Sequence, residues 1–398
     1  MFFRGDGKSH IENGDCFDHA NKESVCGKFT RAFLNPPYSQ ASEPERDFID
    51  ASMEALEPGG VMAAVVKAGI FADDDNAQWR TAFAKRHSVL AMISFPEDLF
   101  YPTAAPASIF IAKAHIPMQN NTEVFMARIQ NDGFTKLKGK RVAVEGSQIP
   151  EIVQCYNDFL QGKHVSSSIA ATTASANLLT GREFSPQQWL DHTQISYSES
   201  KTAMLAVQMS IFQTVVAIPE IAGEVVDGFP VDIKRLPDMP YGESGQLENF
   251  FYIFNGRSSG EKNYSDGDCP YISSGDAMNS VIRMVSGDER EVFSMGGITV
   301  TAFGQAYVQP WRFMARGNGG SSVRVLIPKF RMTYNEFLWF AAQINAQKWR
   351  FFYGRMAIKS RICKLIVVAP PIKMAQGDRS IRQKIASLCD TLESLNDL

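Results

Sequence analysis

Short apolar runs alternate with segments of helical periodicity in the first third of the chain. In the helical segments apolar residues recur three or four positions apart, as in the pair Trp79 and Phe83 and in the stretch 48–56, which is followed by Gly59 and Gly60 as a predicted stop signal. The apolar runs, which we predict to be buried strands, are residues 29–34, 61–66, 89–95 and 107–112. This alternation predicts an α/β fold with a partial doubly wound sheet, on which ligands bind beyond the carboxyl ends of the strands.

The second half of the chain has a pattern typical of an α+β module. Short β-type runs are separated by clusters of glycine and serine, and one helix has a clear start because Thr333 and Glu336 stand in the positions of a capping box. The β-type runs are residues 298–302, 323–327 and 365–368. We predict an α/β domain, a largely helical connector, an α+β domain and a C-terminal helix at residues 1–130, 131–235, 236–372 and 373–398. Within the connector we predict helices at residues 149–160 and 201–218 and a linker rich in serine, alanine and threonine at residues 165–176.

Composition narrows the class of protein. With 398 residues and 44% hydrophobic residues, two or three globular domains are expected. Residues 1–9 lack the apolar core of a secretory signal, and the apolar run 204–218 is too short for a bilayer and stops at Pro219. The six cysteines and six histidines are scattered without metal-ligand spacing. We therefore predict a cytoplasmic protein with no membrane span and no metal site.

Charge is distributed unevenly along the chain. The net charge of −3 gives no general argument for nucleic acid, but between residues 311 and 364 the only acidic residue is Glu336, and aromatic residues lie between the basic ones. Such a basic stretch is typical of a surface that follows phosphates, although a solvated basic face would look the same. The candidate DNA contacts are Arg312, Arg316, Arg350, Arg355, Lys359 and Arg361.

The residues Asn35, Pro36, Pro37 and Tyr38 form the most informative motif. Two successive prolines remove two backbone donors and restrict two φ angles, and Pro36 favours an extended conformation at Asn35. The motif therefore predicts a stiff bend at the end of a strand, with an amide and an aromatic ring beside it. Such a bend suits a site that grips the exocyclic amino group of a base pulled out of a duplex, although an ordinary proline turn remains an alternative.

Most of residues 1–130 resembles the N6-adenine DNA methyltransferases, specifically the modification subunits of type I restriction systems and their type IIG relatives. The resemblance rests on the order of several short segments. These are residues 4–9, 14–15, 35–39, 59–60, 99–101 and 108–110.

This resemblance implies a role for each matching residue. The Asn35 side chain and the Pro36 carbonyl would accept hydrogen bonds from adenine N6, with Pro37 completing the bend, and the methyl group would come from S-adenosylmethionine. Tyr38 and Phe100 would pack against the two faces of the flipped base. Asp15 would hold the adenine of the cofactor.

The sequence also departs from that family. The glycine-rich cofactor loop and the acidic residue of the next strand are expected upstream of residues 5–7, and Lys67 stands where relatives commonly have a proline. We therefore expect an incomplete cofactor pocket and a sheet that lacks an edge, which fits a fragment, a degenerate reading frame, or a protein whose missing part a separate chain supplies. Gly7, Lys8 and Ser9 do not complete a P-loop, because Phe2 stands where that motif needs glycine.

Residues 240–372 resemble the target-recognition domains of type I specificity subunits, which implies loops that read bases in the major groove. The matching segments are residues 270–275, 297–300, 302–304, 309–310, 352–355 and 365–371. In relatives a helix after this domain is a spacer or docking arm, and residues 380–398 have weak helical periodicity.

The sequence thus favours an adenine-N6 DNA methyltransferase fused to one recognition domain. Its expected partners are double-stranded DNA and a separate chain that supplies the cofactor segment, or a restriction subunit. A DNA-binding specificity protein without catalysis is the alternative. A combined restriction nuclease is less favoured, because the residues after Asp238 do not complete an Asp…Glu-x-Lys motif. Cytosine-C5 chemistry is disfavoured, because no cysteine follows a proline near the predicted cleft.

Overall fold

The computed structural model describes residues 13–20, 25–38, 43–101, 106–181, 183–190, 195–226, 236–374 and 381–396. The chain forms two compact units, Met1–Asp191 and His192–Leu398. Both combine helices with sheets, which confirms the predicted α/β class. The finer division into four parts stays a prediction.

Unit 1 is built on a six-stranded mixed sheet in the order β1-β2-β4-β3-β5-β8. Strands β1, β2, β3 and β5 run parallel to one another, and β4 and β8 run antiparallel to their neighbours. The six strands are Phe29–Leu34 (β1), Leu56–Lys67 (β2), Ser88–Ser94 (β3), Ala107–Lys113 (β4), Glu123–Arg128 (β5) and Ala170–Ala174 (β8). A separate two-stranded hairpin consists of Phe134–Leu137 (β6) and Lys140–Ala143 (β7). The helices are Cys16–Ala20 (α1), Glu45–Ala55 (α2), Ala77–Arg86 (α3), Ile149–Leu160 (α4), Ser175–Gly181 (α5) and Pro186–Trp189 (α6).

Helix α2 confirms the predicted helical stripe, since Phe48, Ile49 and Met53 are buried. Helices α3 and α4 also lie where the periodicity placed them. The predicted stop at the glycine pair is wrong, because α2 already ends at Ala55 and both glycines belong to β2. At Gly60 a side chain would meet the Phe29 carbonyl oxygen at 3.2 Å, so glycine lets β1 and β2 approach closely.

Two sequence predictions about strands need correction. Residues 29–34 form a strand, but it is an edge strand rather than a buried one: Phe29 is 48% and Phe33 is 87% exposed. Among the described residues β1 pairs only with β2, so no described strand pairs with its outer edge. The predicted linker at residues 165–176 contains β8, which pairs with β5 through its backbone. Its small side chains carry almost no hydrophobic periodicity, which is why the strand was missed.

Unit 2 contains two four-stranded sheets around a shared apolar core. Their orders are β10-β17-β14-β15 and β12-β11-β16-β13, and β9 pairs with β18 in a two-stranded sheet. The strands are Ser244–Gln246 (β9), Phe251–Asn255 (β10), Ser265–Ile272 (β11), Val281–Ser286 (β12), Val292–Phe293 (β13), Gly297–Val300 (β14), Ala306–Gln309 (β15), Phe313–Ala315 (β16), Arg324–Pro328 (β17) and Ile366–Val368 (β18). The helices are Tyr197–Ala217 (α7), Leu247–Phe250 (α8), Tyr334–Asn345 (α9), Lys359–Ile362 (α10) and Ile381–Asn396 (α11).

Helix α9 is buried in the core of unit 2, and one face of α7 packs against it. The predicted capping box at the start of α9 is confirmed, since the Thr333 hydroxyl accepts from the Glu336 N–H and the Glu336 carboxylate accepts from the Thr333 N–H. The apolar run 204–218 lies in α7 except for its last residue, and Met204, Val207, Ile211 and Val215 of this helix are buried in the core. In the part of the chain that the structure describes, no helix is long and apolar enough to cross a membrane.

Candidate functional site

The Asn-Pro-Pro-Tyr motif lies directly after β1, at the carboxyl end of the parallel strands of unit 1. Because β1, β2, β3 and β5 are parallel, their carboxyl ends lie on the same side of the sheet. The register is fixed up to Leu34, which lies opposite Ala64 of β2. Beyond it Asn35 is exposed, Pro36 is buried and Pro37 is exposed. The buried ring anchors the bend, and it leaves the Asn35 amide open to solvent.

The structure brings Tyr38 and Phe100 together, although they are 62 positions apart in sequence. Their ring centroids are 5.8 Å apart and the rings meet edge to face at 66°. A base stacked between two parallel rings needs roughly 7 Å, twice the contact distance of about 3.5 Å between carbon atoms. In this arrangement the rings contact each other, so a base could enter only after one ring has turned or moved.

Two buried polar atoms belong to the surroundings of this ring pair. The Tyr38 hydroxyl oxygen and Glu45 Oε1 are both buried, and neither has a hydrogen-bond partner among the described residues. Burial raises the pKa of the Tyr38 phenol, and the nearby Glu45 carboxylate raises it further. Burial also raises the pKa of Glu45, although the charge and the backbone N–H of Lys67 oppose this change. Tyr38 is therefore a neutral phenol held beside a partly enclosed carboxyl group.

Asp15, the predicted cofactor contact, lies just before α1. Its Oδ1 accepts a hydrogen bond of 2.8 Å from the Phe17 N–H, and the Phe17 ring lies 4.7 Å from the Phe48 ring of α2. The carboxyl group is exposed, so it can accept a further hydrogen bond from an amino group. The segment at residues 4–9 and Ser39 lie outside the described residues.

A hairpin that sequence reasoning missed lies beside the Phe100 segment. Lys136 of β6 places its Nζ 4.6 Å from the ring centroid of Tyr101, the neighbour of Phe100. Arg141 of β7 forms ion pairs with Asp98 at 3.4 Å and with Asp132 at 2.7 Å. These contacts attach the hairpin to the loop that carries Phe100. The turn at Lys138 and Gly139 is the sequence signal that could have revealed it.

Two of the six predicted DNA contacts in unit 2 are buried, which does not favour a contact with phosphates. Arg350 is 2% exposed and its guanidinium lies 4.5 Å from the Trp349 ring centroid. Arg355 is 5% exposed and donates from Nη1 to the Arg350 carbonyl at 2.7 Å. A guanidinium group has five donors and can satisfy backbone carbonyls inside a protein, which a count of charges along the sequence does not reveal.

Arg312 and Arg316 are partly exposed and are paired with acids. Arg312 forms ion pairs with Glu224, Asp268 and Glu289, so the local charge is not positive. Arg316 lies 3.7 Å from Glu261. These pairs weaken the case that either residue contacts phosphates.

The remaining predicted DNA contacts lie near the start of α10. Lys359 is exposed, and Arg361 is half-buried and donates to the Met356 carbonyl at 3.1 Å. Nearby in sequence, Tyr353 is 84% exposed at the tip of a tight turn in which Gly354 has a φ of 95°.

No group of three or more potential metal ligands occurs in the described part of the chain.

Comparison with known proteins agrees with the description of unit 1. The sequence model of the family N-6 DNA Methylase matches residues 4–185. This match confirms the resemblance inferred from the motif at Asn35. It extends past β8, so it includes the hairpin and nearly all of unit 1.

One curated relative and two solved structures illustrate the range of similarity. The type II restriction enzyme and methyltransferase RM.BcgI of Heyndrickxia coagulans is 27% identical over 157 residues, which are 37% of this chain and 24% of that protein. The matched part therefore spans about a quarter of the relative's length.

The first solved structure is the type I restriction-modification methyltransferase subunit from Streptococcus thermophilus. It is 19% identical with a TM-score of 0.37, covering 45% of this chain and 42% of that one. The second is the HsdS subunit from Thermoanaerobacter tengcongensis, which is 13% identical with a TM-score of 0.25, covering 84% and 89%. TM-scores this low carry no argument about function.

Proposed function

We propose, from the match of residues 4–185 to the N-6 DNA Methylase family, that this chain is an adenine-N6 DNA methyltransferase of a restriction-modification system. The observation that carries the proposal is the bend after β1: Pro36 is buried, Asn35 is exposed, and the Tyr38 and Phe100 rings meet beside them. The exposed Asn35 suits the capture of an extruded adenine by its amino group, and the two rings would take its flat face once one of them has turned.

The residues of the bend would act by binding and orientation. The Asn35 amide oxygen and the Pro36 carbonyl would accept the two N6 hydrogens, which raises the electron density on the nitrogen and fixes its direction. Tyr38 and Phe100 would hold the ring plane. Most of the rate acceleration in such a site comes from orientation, since no covalent bond to the protein is needed.

S-adenosylmethionine would supply the methyl group. Among the described residues Asp15 fits a contact to the cofactor's adenine, because its carboxylate is exposed and is held by the hydrogen bond from Phe17. The exposed acceptor at Asn35 fits the other end of the reaction, where the amino group would lie. We assign no other cofactor contact to the described residues.

We also propose that β1 receives further strands on its outer side and that these strands complete the cofactor pocket. Exposed phenylalanines at positions 29 and 33 on an edge strand favour such a contact, since an open strand edge readily pairs with another chain. A restriction subunit is an expected partner, and double-stranded DNA is the expected substrate.

A second candidate function is DNA recognition without catalysis. Unit 2 is compact by itself, and it carries the exposed Lys359 and the exposed Tyr353 ring at the tip of a turn. Aromatic and basic side chains in such positions suit contact with nucleic acid.

The two functions differ in one experiment on the purified chain. The transfer of labelled methyl groups from S-adenosylmethionine to duplex DNA is measured for the wild type, Asn35→Ala and the control Asn120→Ala, with and without extracts that contain the proteins encoded beside it. Asn120 is an exposed asparagine at the opposite end of the sheet.

We expect transfer by the wild type and the control, and transfer at least about a hundredfold slower by Asn35→Ala with unchanged DNA affinity, since an acceptor for the reacting group is lost. Equal rates for Asn35→Ala and the wild type would contradict the assigned role of Asn35. If the chain bound DNA but neither transferred methyl groups nor bound S-adenosylmethionine under any of these conditions, the second function would be favoured.

A further inference from the structure

The hairpin of β6 and β7 stands out from the rest of unit 1 because its ten residues contain no acid and four basic side chains, Lys136, Lys138, Lys140 and Arg141. The three lysines are exposed. Among the described residues no ion pair joins them to a carboxylate, and the acids that pair with the hairpin, Asp98 and Asp132, both pair with Arg141. The hairpin therefore presents positive charge that its own surroundings do not neutralise.

Packing does not account for the hairpin. Every residue of β6 is exposed and no residue of β7 is buried, and the pair shares no strand with the main sheet. A two-stranded hairpin without a buried face is marginally stable in water. The exposed Phe134 and Leu137 also contribute nothing to a core. A segment of this kind is expected to have a contact outside the protein.

The base of the hairpin is nevertheless held firmly. Asn131 donates from Nδ2 to the carbonyls of Glu145 and Gly146 at 2.9 and 3.1 Å, which closes the loop below the two strands. Arg141 forms a bidentate contact with Asp132 at 2.7 and 3.0 Å. The backbone that carries the exposed lysines is therefore held in place, which lowers the conformational entropy lost when they bind a ligand.

The turn places charge at the tip. Lys138 and Gly139 both have positive φ, 45° and 83°, as in a type I′ turn. Asparagine or glycine would adopt the first of these positions more readily than lysine, so Lys138 brings its charge to the tip in a backbone conformation that lysine rarely adopts.

The hairpin lies next to the residues that would bind the extruded base. Lys136 lies over Tyr101, the residue after Phe100, and Phe100 contacts Tyr38 of the bend. A duplex whose adenine entered between these rings would pass its backbone beside the hairpin. We propose that the hairpin Phe134–Ala143 binds the phosphate backbone of duplex DNA next to the extruded base, through Lys138 and Lys140 at its tip. This inference rests on the proposed function.

The test measures the binding of a fluorescein-labelled duplex of mixed sequence to the full chain by anisotropy over a series of salt concentrations. The variant Lys138→Gln/Lys140→Gln is compared with the control Lys28→Gln/Lys85→Gln, which removes the same charge from exposed lysines at the opposite end of the sheet. Each phosphate contact contributes about 0.9 to the slope of log affinity against log salt. We expect the hairpin variant to lose about 1.8 from that slope and the control to keep it.

A third variant, Lys138→Arg/Lys140→Arg, keeps the charge and should retain the wild-type slope, and circular dichroism checks that each variant folds. Equal slopes for the hairpin variant and the lysine control would overturn the inference and leave the methyltransferase proposal intact. The same holds if the arginine variant loses the slope as well, because the lysines would then act structurally. Failure of the wild-type chain to bind duplex DNA at any salt concentration would overturn the proposed function and this inference together.

Discussion

Replacing Tyr38 with phenylalanine removes one oxygen atom and leaves the ring itself in place. That oxygen is buried without a partner among the described residues, and the Glu45 carboxylate beside it also has one buried oxygen without a partner. A buried polar group without a hydrogen bond costs roughly 1–3 kcal/mol. The edge-to-face contact with Phe100 at 5.8 Å does not depend on the hydroxyl and should remain.

We therefore expect Tyr38→Phe to stabilise unit 1 by about 1 kcal/mol, the lower end of that range, because the Tyr38 side chain is only half-buried. Native-state hydrogen exchange suits the measurement, since it reports on each unit separately. Exchange in a peptide covering β2 should slow about fivefold, the equivalent of 1 kcal/mol.

Tyr101→Phe is the matched control, because the Tyr101 hydroxyl is not among the buried oxygens without a partner. Its exchange in β2 should match the wild type. If Tyr38→Phe exchanged as fast as the wild type or faster, the hydroxyl would have a favourable interaction in the folded protein. The description of the site as holding an unpaired phenol would then be wrong.

Two further predictions concern charge in the two units. Burial raises the pKa of Glu45, so the folded protein loses stability as the pH rises from about 4.5 through the raised pKa. Over that pH interval Glu45→Gln should become more stable than the wild type, and below it the two proteins should be equally stable. Urea unfolding at a series of pH values measures this difference, and a difference that fell with rising pH would contradict burial as the cause. In unit 2, Arg355→Met should lower the melting temperature and leave the salt dependence of DNA binding unchanged, because Arg355 is buried. Lys359→Gln should lower the slope of log affinity against log salt by about 0.9 and leave the melting temperature unchanged. The reverse pattern would place Arg355 on the DNA-binding surface.

The elements of unit 1 that the sequence predicted have strong periodicity and buried faces. Helix α2 buries Phe48, Ile49 and Met53 at helical spacing, and β2 alternates between buried and partly exposed positions. The location of the candidate site could also be predicted, because parallel strands place their carboxyl ends at one edge of a sheet. Pattern and topology together were enough to place Asn35 at that edge.

Elements held by backbone hydrogen bonds or by single side chains were not predictable in this way. Strand β8 is built from alanine and threonine, and it exists because its backbone pairs with β5. The hairpin at residues 134–143 has no buried face, and Arg141 holds it by ion pairs that join distant parts of the sequence. The meeting of Tyr38 with Phe100 and the enclosed position of Glu45 likewise depend on tertiary packing.

The exposure of β1 bears on how the bend could work. Its backbone pairs with β2 as far as Leu34, so one side of the strand is fixed up to the residue before Asn35. On the other side Phe33 is 87% exposed, and the Asn35 side chain is open to solvent. A catalytic amide must be held within a fraction of an ångström of its working geometry, which contacts on one side of a strand do not achieve. A strand added to the outer edge of β1 would bury Phe33 and restrict Asn35 in one step. Methyl transfer would then depend on that added strand, while DNA binding by the hairpin and by unit 2 would not.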